Sequence, residues 1–193
     1  MKCPNCEAVL TEEVEACPSC GFSYQSIGGE FGRMPSVKGE LSDMVEALSM
    51  REAGKVRGAI KQFVRQFPQL KFHVFLTSVA SEFPIAKFAF WLFNGGCICS
   101  DLHKGGLNFH NLLLIDVEHR RSNLSIGYGL EPFLQDEDLT TILSAGQTLI
   151  SKGTYGEAIL AILDKATSIL HERSDQIPKT FGLRPKTRHE EGL

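Results

Sequence analysis

At 193 residues, with 42% hydrophobic and 22% charged side chains, the chain is long enough for one medium domain plus a small appendage, and too apolar to be disordered throughout. A formal net charge of −3 gives no broad basic surface, which speaks against nucleic-acid or anionic-membrane binding as the main activity. The first residues, MKCPNCEAVL, hold no apolar run of signal-peptide length, and the longest apolar cluster, IAKFAFWLF, is interrupted by Lys87 and too short for a membrane span. A cytoplasmic protein without a membrane span is expected.

Four of the six cysteines lie at positions 3, 6, 17 and 20. CPNC and CPSCG form two CxxC pairs separated by ten residues, and reduced cytosolic thiols in this pattern point to metal rather than disulfides. A tight knuckle lets both thiols of a pair point inward, and two knuckles supply the four thiolates that tetrahedral Zn²⁺ accepts. Pro4 and Pro18 preset the backbone, and Gly21 allows positive φ after the second knuckle. Cys3, Cys6, Cys17 and Cys20 are therefore the expected zinc ligands. With four protein ligands the site is closed, hence structural, and so short a segment needs the metal to fold. Residues 1–24 resemble the zinc-ribbon modules of bacterial proteins, with Glu7 standing where glycine is common. Their few basic residues suit a protein contact better than nucleic acid.

QSIGGEFGRMPSVKGE follows, with four glycines, one proline and no sustained period; residues 25–39 read as a flexible linker between independently moving domains. The main domain is expected over 40–173. Apolar residues from Leu41 to Phe67 recur at helical spacing, with Ser42 as cap, Pro68 beyond the end and a weak middle at Gly54 and Gly58. KFHVFLT (71–77) reads as a strand and PIAKFAFWLFN (84–94) as a helix opened by Pro84. The aromatic stripe Phe83, Phe88, Phe90, Trp91 and Phe93 is mostly core, with part of it suited to a partner. NLLLIDV (111–117) has the continuous apolar run of a central strand, and RSNLSIG (121–127) pairs with it as a hairpin through EHRR. DEDLTTILSAGQTLIS (136–151) and TYGEAILAILDKATSILHER (154–173) are amphipathic helices, the first with acids in its first turn. Residues 174–193 are polar, contain Pro178 and Pro185, and read as a loose tail. The order of elements predicts a sheet covered by helices on both faces.

HNLLLIDVEHRRSNLSIGYGLEPFLQD resembles the core of the TPM domain. That core has a Leu-rich strand, a charged turn, and a second strand ending Gly-Tyr-Gly-Leu-Glu with an Asp five residues further on. Leu112 to Leu114, Gly127, Tyr128, Gly129, Leu130, Glu131 and Asp136 carry the match, and Gly153, Thr154 and Tyr155 resemble a later Gly-Asp-Tyr segment. The resemblance covers roughly residues 40–170. It implies a Rossmann-like, three-layer α/β/α sandwich, here with an N-terminal zinc ribbon. It also implies an acid phosphatase activity proposed for one branch of the family, and divalent-cation binding by loop acids in others. Two departures are expected. The family's first strand closes on an Asp, for which MPSVKGELSD offers only Glu40 or Asp43 as partial stand-ins, and GGCICSDLHKGGLNFHN replaces an acid-bearing loop, leaving Asp101 alone.

Glu131, Asp136, Asp138 and Asp116 are the candidate ligands for a calcium or magnesium ion. The competing reading, preferred on the residues, is that Asp136 and Asp138 cap a helix, Glu131 pairs with a base and Asp116 turns to a sheet edge. Gly127 and Gly129 could admit an anion but more simply allow a bend. Cys97 and Cys99, with His103 and His110 nearby, match no ligand set, and neither thiol has the setting of a nucleophile. Two functions follow. One is a non-catalytic protein that docks an unidentified protein partner in assembly or repair. The other is a divalent-metal-dependent phosphatase acting through the loop carboxylates.

Overall fold

The computed structural model describes residues 3–10, 14–35, 37, 39–95 and 108–180, with 175–180 in backbone only. Four strands form one sheet in the order β1 (Leu41–Asp43), β2 (Lys71–Thr77), β3 (His110–Asp116), β4 (Arg121–Ile126). β1, β2 and β3 are parallel, and β4 returns antiparallel to β3. The continuous apolar run of β2 and β3 has its cause in the layers. Val74, Leu76, Leu113, Ile115 and Leu124 face the helices α2 (Met50–Gln66), α4 (Asp136–Ser151) and α5 (Tyr155–Thr180). Phe75, Leu112 and Leu114 face α3 (Ile85–Gly95). With both faces covered, both sets of alternating side chains must be apolar. This is the expected three-layer α/β/α sandwich.

The first helix differs from the sequence reading. Residues 41–43 are a strand, not the start of a helix, and α2 begins at Met50. Asp43 explains the turn: its Oδ1 accepts the N–H of Ala47 (3.1 Å) and its Oδ2 that of Leu48 (2.8 Å). Glu46 adopts φ 53°, which interrupts helical backbone. The helix then starts on a reciprocal cap, Glu52 N–H to Ser49 Oγ and Ser49 N–H to Glu52 Oε2. The apolar spacing of 41, 44, 45 and 48 runs in phase with α2 and hid this boundary. β1 closing on Asp43 also overturns the expectation that the first-strand Asp is missing. At the other end, α5 continues beyond Arg173 to Thr180, where a loose tail was expected from 174. Pro178 falls in its last turn.

Residues 25–39 are not a free connection in the structure. Ile27, in the short helix α1 (Tyr24–Ile27), is fully buried and Val37 is buried against Phe75 and Leu92. Phe31 meets Phe83, Phe88 and Trp91 with ring centroids 4.8, 5.2 and 5.1 Å apart. Glycine content suggested flexibility, but the apolar residues between the glycines anchor the segment to α3. The partner of the aromatic stripe thus lies within the same chain.

Candidate functional site

Three features bear on chemistry: the four clustered thiols, the separated acids and a groove along the outer edge of β4. Each cysteine pair sits on the same backbone turn. Cys3 N–H donates to Ala8 O and Cys17 N–H to Phe22 O, while Glu7 N–H and Gly21 N–H return to Cys3 O and Cys17 O. Glu7 (φ 60°) and Gly21 (φ 71°) occupy equivalent left-handed positions, which is why glycine is favoured there and Glu7 is a strained substitute. The four Sγ atoms lie within 4.8 Å of one another. Cys3 and Cys20 are 3.7 Å apart and Cys6 and Cys17 3.6 Å apart. A Zn–S bond of about 2.3 Å in a tetrahedron separates sulfurs by about 3.8 Å, so the residues present fit such an ion. Asn5 Nδ2 donates to Cys20 Sγ (3.5 Å), and with the Phe22 N–H it lowers that thiol to about 6, favouring the thiolate that metals bind. Cys6 is pushed up to about 12. The Ala8 N–H lowers it, but its neighbour Cys20, then burial, then Cys17 and Cys3 outweigh that.

The module docks through its interior. Cys3, Cys17 and Phe22 form one cluster with Ile27 and Trp91, and Phe22 meets Phe90 edge to face at 5.5 Å. Lys87 on α3 pairs with Glu30 at 2.6 Å.

The four candidate cation ligands do not converge. Asp116 lies at the carboxyl end of β3, fully buried. Its Oδ2 accepts Arg121 Nε (2.9 Å) and Nη2 (2.7 Å), and its Oδ1 the Val79 N–H (3.3 Å). Burial alone would raise its carboxyl, but these donors outweigh it and hold it below the ordinary range. Asp138, in the first turn of α4, accepts Arg173 Nη2 (2.7 Å) and the Gln135 N–H (3.0 Å); Arg173 first, against burial, lowers its carboxyl. Glu131 follows the 3₁₀ turn Tyr128–Leu130 and shares a groove with Asp136. Because Ile126 pairs with Asn111 and Arg121 with Asp116, these acids sit at the opposite end of β3 from Asp116. Seven residues separate the ends, roughly 20 Å. Asp138 lies in the first turn of α4, where a helix-start acid was read, whereas Asp116 is buried and ion-paired to Arg121 on the inner strand β3 rather than turned to a sheet edge. Asp43 was undervalued: it ends β1 on the same side of the sheet as Asp116, where α/β sheets hold their ligands. The available signal was the S-x-x-E of Ser49 to Glu52, which marks a helix start several residues after Asp43.

The Gly-Tyr-Gly-Leu-Glu stretch is a packing device. A Cβ on Gly129 would lie 2.6 Å from Phe109 Cε1 and 2.9 Å from Asn108 O, so only glycine lets the turn close on that loop. Gly153, with φ 77°, turns α4 into α5, and Tyr155 Oη donates to Val117 O (2.8 Å). Cys97, Cys99, Asp101 and His103 lie outside the described residues. His110 is described: its Nδ1 lies 3.0 Å from Nε2 of buried His73, whose Nδ1 meets Gly39 O at 3.1 Å.

The groove, about 870 Å³, runs along β4 from Asn123 to Gly127, between Phe90 and Phe93 of α3 and Leu139 and Leu143 of α4. Pro4, Glu7 and Val9 of the cysteine module close part of its wall.

A helix-covered, mostly parallel sheet with a four-thiol knuckle module seated on one helix defines an α/β sandwich protein with an appended module whose four cysteines lie close enough to bind a metal ion. Residues 41–169 match the TPM domain, and the chain belongs to the TPM domain family. No curated protein matches it. Among solved structures it is similar to BA42 from the psychrophilic bacterium Bizionia argentinensis, with TM-score 0.57, 19% identity, and coverage of 67% of this chain and 86% of that one. The N-terminal domain of a P. gingivalis protein matches with TM-score 0.57, 18% identity and coverage of 79% and 90%. The N-terminal domain of cg2496 from Corynebacterium glutamicum matches with TM-score 0.51, 15% identity and coverage of 68% and 79%. At these identities the likeness is one of fold. Among the described residues no helix is long and apolar enough to cross a membrane.

Proposed function

We propose that the chain is a non-catalytic accessory protein of assembly or repair, in which a zinc-held ribbon over residues 1–24 and the TPM domain over 40–173 together recognise a protein partner. Zinc is the metal of the reading because four sulfur ligands leave no open coordination position, which makes the site structural. A cytoplasmic setting accords with four reduced thiols. The observation that carries the reading is the commitment of the acids. Asp116 is held by Arg121, Asp138 by Arg173, and the acids of the two sheet ends are too far apart to share an ion.

The competing reading is a divalent-metal-dependent phosphatase using Glu131, Asp136 and Asp138. Turnover of a generic phosphomonoester with magnesium or calcium separates the two. The accessory reading expects no metal-dependent turnover, and no cation-dependent shift of the 131–138 amide resonances. Turnover that Glu131→Ala abolishes while leaving the thermal midpoint unchanged would establish the phosphatase instead.

A further inference from the structure

The exposed face of α2 carries charge that the fold does not neutralise. MREAGKVRGAIKQFVRQ holds five bases and one acid, in a chain whose formal net charge is −3. Arg51, Lys55, Gly58, Gln62 and Arg65 follow one another at helical spacing, all exposed, and form one line opposite the buried Val56, Ile60 and Phe63. Lys61 stands beside that line and Arg57 on its flank. Arg51–Lys55, Arg57–Lys61 and Lys61–Arg65 are like-charge pairs four residues apart, each of which opposes the helix. Glu52 is committed to the Ser49 cap, and among the described residues none of the five bases forms an ion pair. A Cβ at Gly54 or Gly58 would meet nothing within 4 Å, so another chain can lie close to the backbone there. At the C-terminal end of the line, Lys61 and Arg65 meet Lys71 around a cleft of about 270 Å³, walled by Val64 and Phe72, with Glu40 its one acid.

Given the accessory role, on which this step rests, we propose that the line docks an acidic, extended segment of a protein partner, with carboxylates spaced along α2 and one of them seated between Lys61, Arg65 and Lys71. Charge complementarity sets the sign of the occupant. Its dimensions suit a peptide: from Arg51 to Arg65 the helix rises about 21 Å, the span of about six or seven extended residues. The net charge of −3 favours a peptide too. Nucleic acid or an anionic membrane presents its charge to the whole molecule and is repelled by the acids elsewhere on it, whereas a short segment meets only the line. An anionic partner relieves the three repulsive pairs, and its close approach gives a reason for two exposed glycines that weaken the helix.

The test is fluorescence anisotropy of a labelled peptide of alternating Glu and Ser, about seven residues long, titrated with the zinc-loaded full chain, with amide shifts followed on the same mixture. Binding should weaken as salt rises and should move the amides of 51–65 and 71–73. Affinity should fall about tenfold in the double variant Lys61→Gln, Arg65→Gln, whose Val74 and Leu113 amides in the sheet centre stay in place. Lys152→Gln, at an exposed base ending α4, should bind like the parent, and a Gln–Ser peptide should not bind. No binding, full binding by the double variant, or an equal loss in Lys152→Gln overturns the proposal. So does tighter binding of an equally charged single-stranded DNA or of phosphatidylserine vesicles, which would give the face to another class of partner. Any of these results leaves the accessory role standing, since only metal-dependent turnover lost in Glu131→Ala removes it.

Discussion

The His73–His110 pair shows how two side chains can set an acid limit on the fold. Gly39 O can only accept, so His73 carries its proton on Nδ1 and offers Nε2 as acceptor to the Nδ1–H of His110. Both rings are neutral in this arrangement, and a second proton on His73 would set N–H against N–H. Burial first, then His73 and Lys71, lowers His110 to about 4; burial first lowers His73, with Gly39 and Glu40 opposing. In the unfolded chain both rings bind protons near 6.5. Between that value and about 4 the unfolded state takes up more protons, so stability is full above pH 6.5 and falls as pH drops toward 4. The paired carboxylates of Asp116 and Asp138, both held below the ordinary range, begin to lose their contribution as pH falls through the ordinary carboxyl value, so their window adjoins that of the imidazoles from below. Thermal unfolding should show a lower midpoint at pH 4.5 than at pH 7, and His110→Asn should shrink that difference. An equal acid loss in the variant would remove the pair as its cause.

At the scale of elements, the glycines of α2 and α4 have opposite meanings that only packing distinguishes. Gly54 and Gly58 are exposed within an unbroken helix, and a Cβ at either meets nothing within 4 Å. Gly54→Ala and Gly58→Ala should each stabilise by about 0.5–1 kcal/mol, raising the thermal midpoint by roughly 2–4 °C per kcal/mol. Gly146 lies where α4 crosses α5, and its Cβ would stand 2.7 Å from Ile162 Cγ1 and 3.0 Å from Ala158 O. Gly146→Ala should destabilise by about 1–3 kcal/mol. A lower midpoint for the α2 variants, or none for Gly146→Ala, would contradict these contacts. The sequence reading gave α2 a weak middle at Gly54 and Gly58, because propensity is local while the face of α2 that carries Val56, Ile60 and Phe63 is fixed by the core. β2 and α4 were legible to the residue, since β2 is a run of aromatic and β-branched residues just after Pro68 and α4 opens on three acids in its first turn. The boundary at Ser49 was not, because the apolar phase continues across a turn that one Asp side chain creates. The cysteine cluster was legible because ligand spacing is local. The division of the acids between the two ends of β3 was not, because it depends on hairpin register.

For the whole molecule, the coupling of the cysteine module to the sandwich makes metal content readable from a single side chain. Trp91 is the only tryptophan and is 3% exposed, covered jointly by Cys3, Cys17, Phe22 and Ile27. A module this small holds its shape through its metal, so chelation should release Phe22 and the knuckles from α3 and wet the indole on one side. The two core clusters of the sandwich contain no cysteine of the module, so the sheet and α2, α4 and α5 should persist. Trp91 emission should therefore shift to the red on chelation while far-UV dichroism changes little. Cys17→Ser should give the same red shift without chelator, since it removes a buried ligand beside the indole. Unchanged Trp91 emission at complete metal loss would mean that the aromatic contacts of Phe22 and Phe31 alone hold the module on α3. The sandwich and its appendage would then be one hydrophobic unit rather than two joined by a metal.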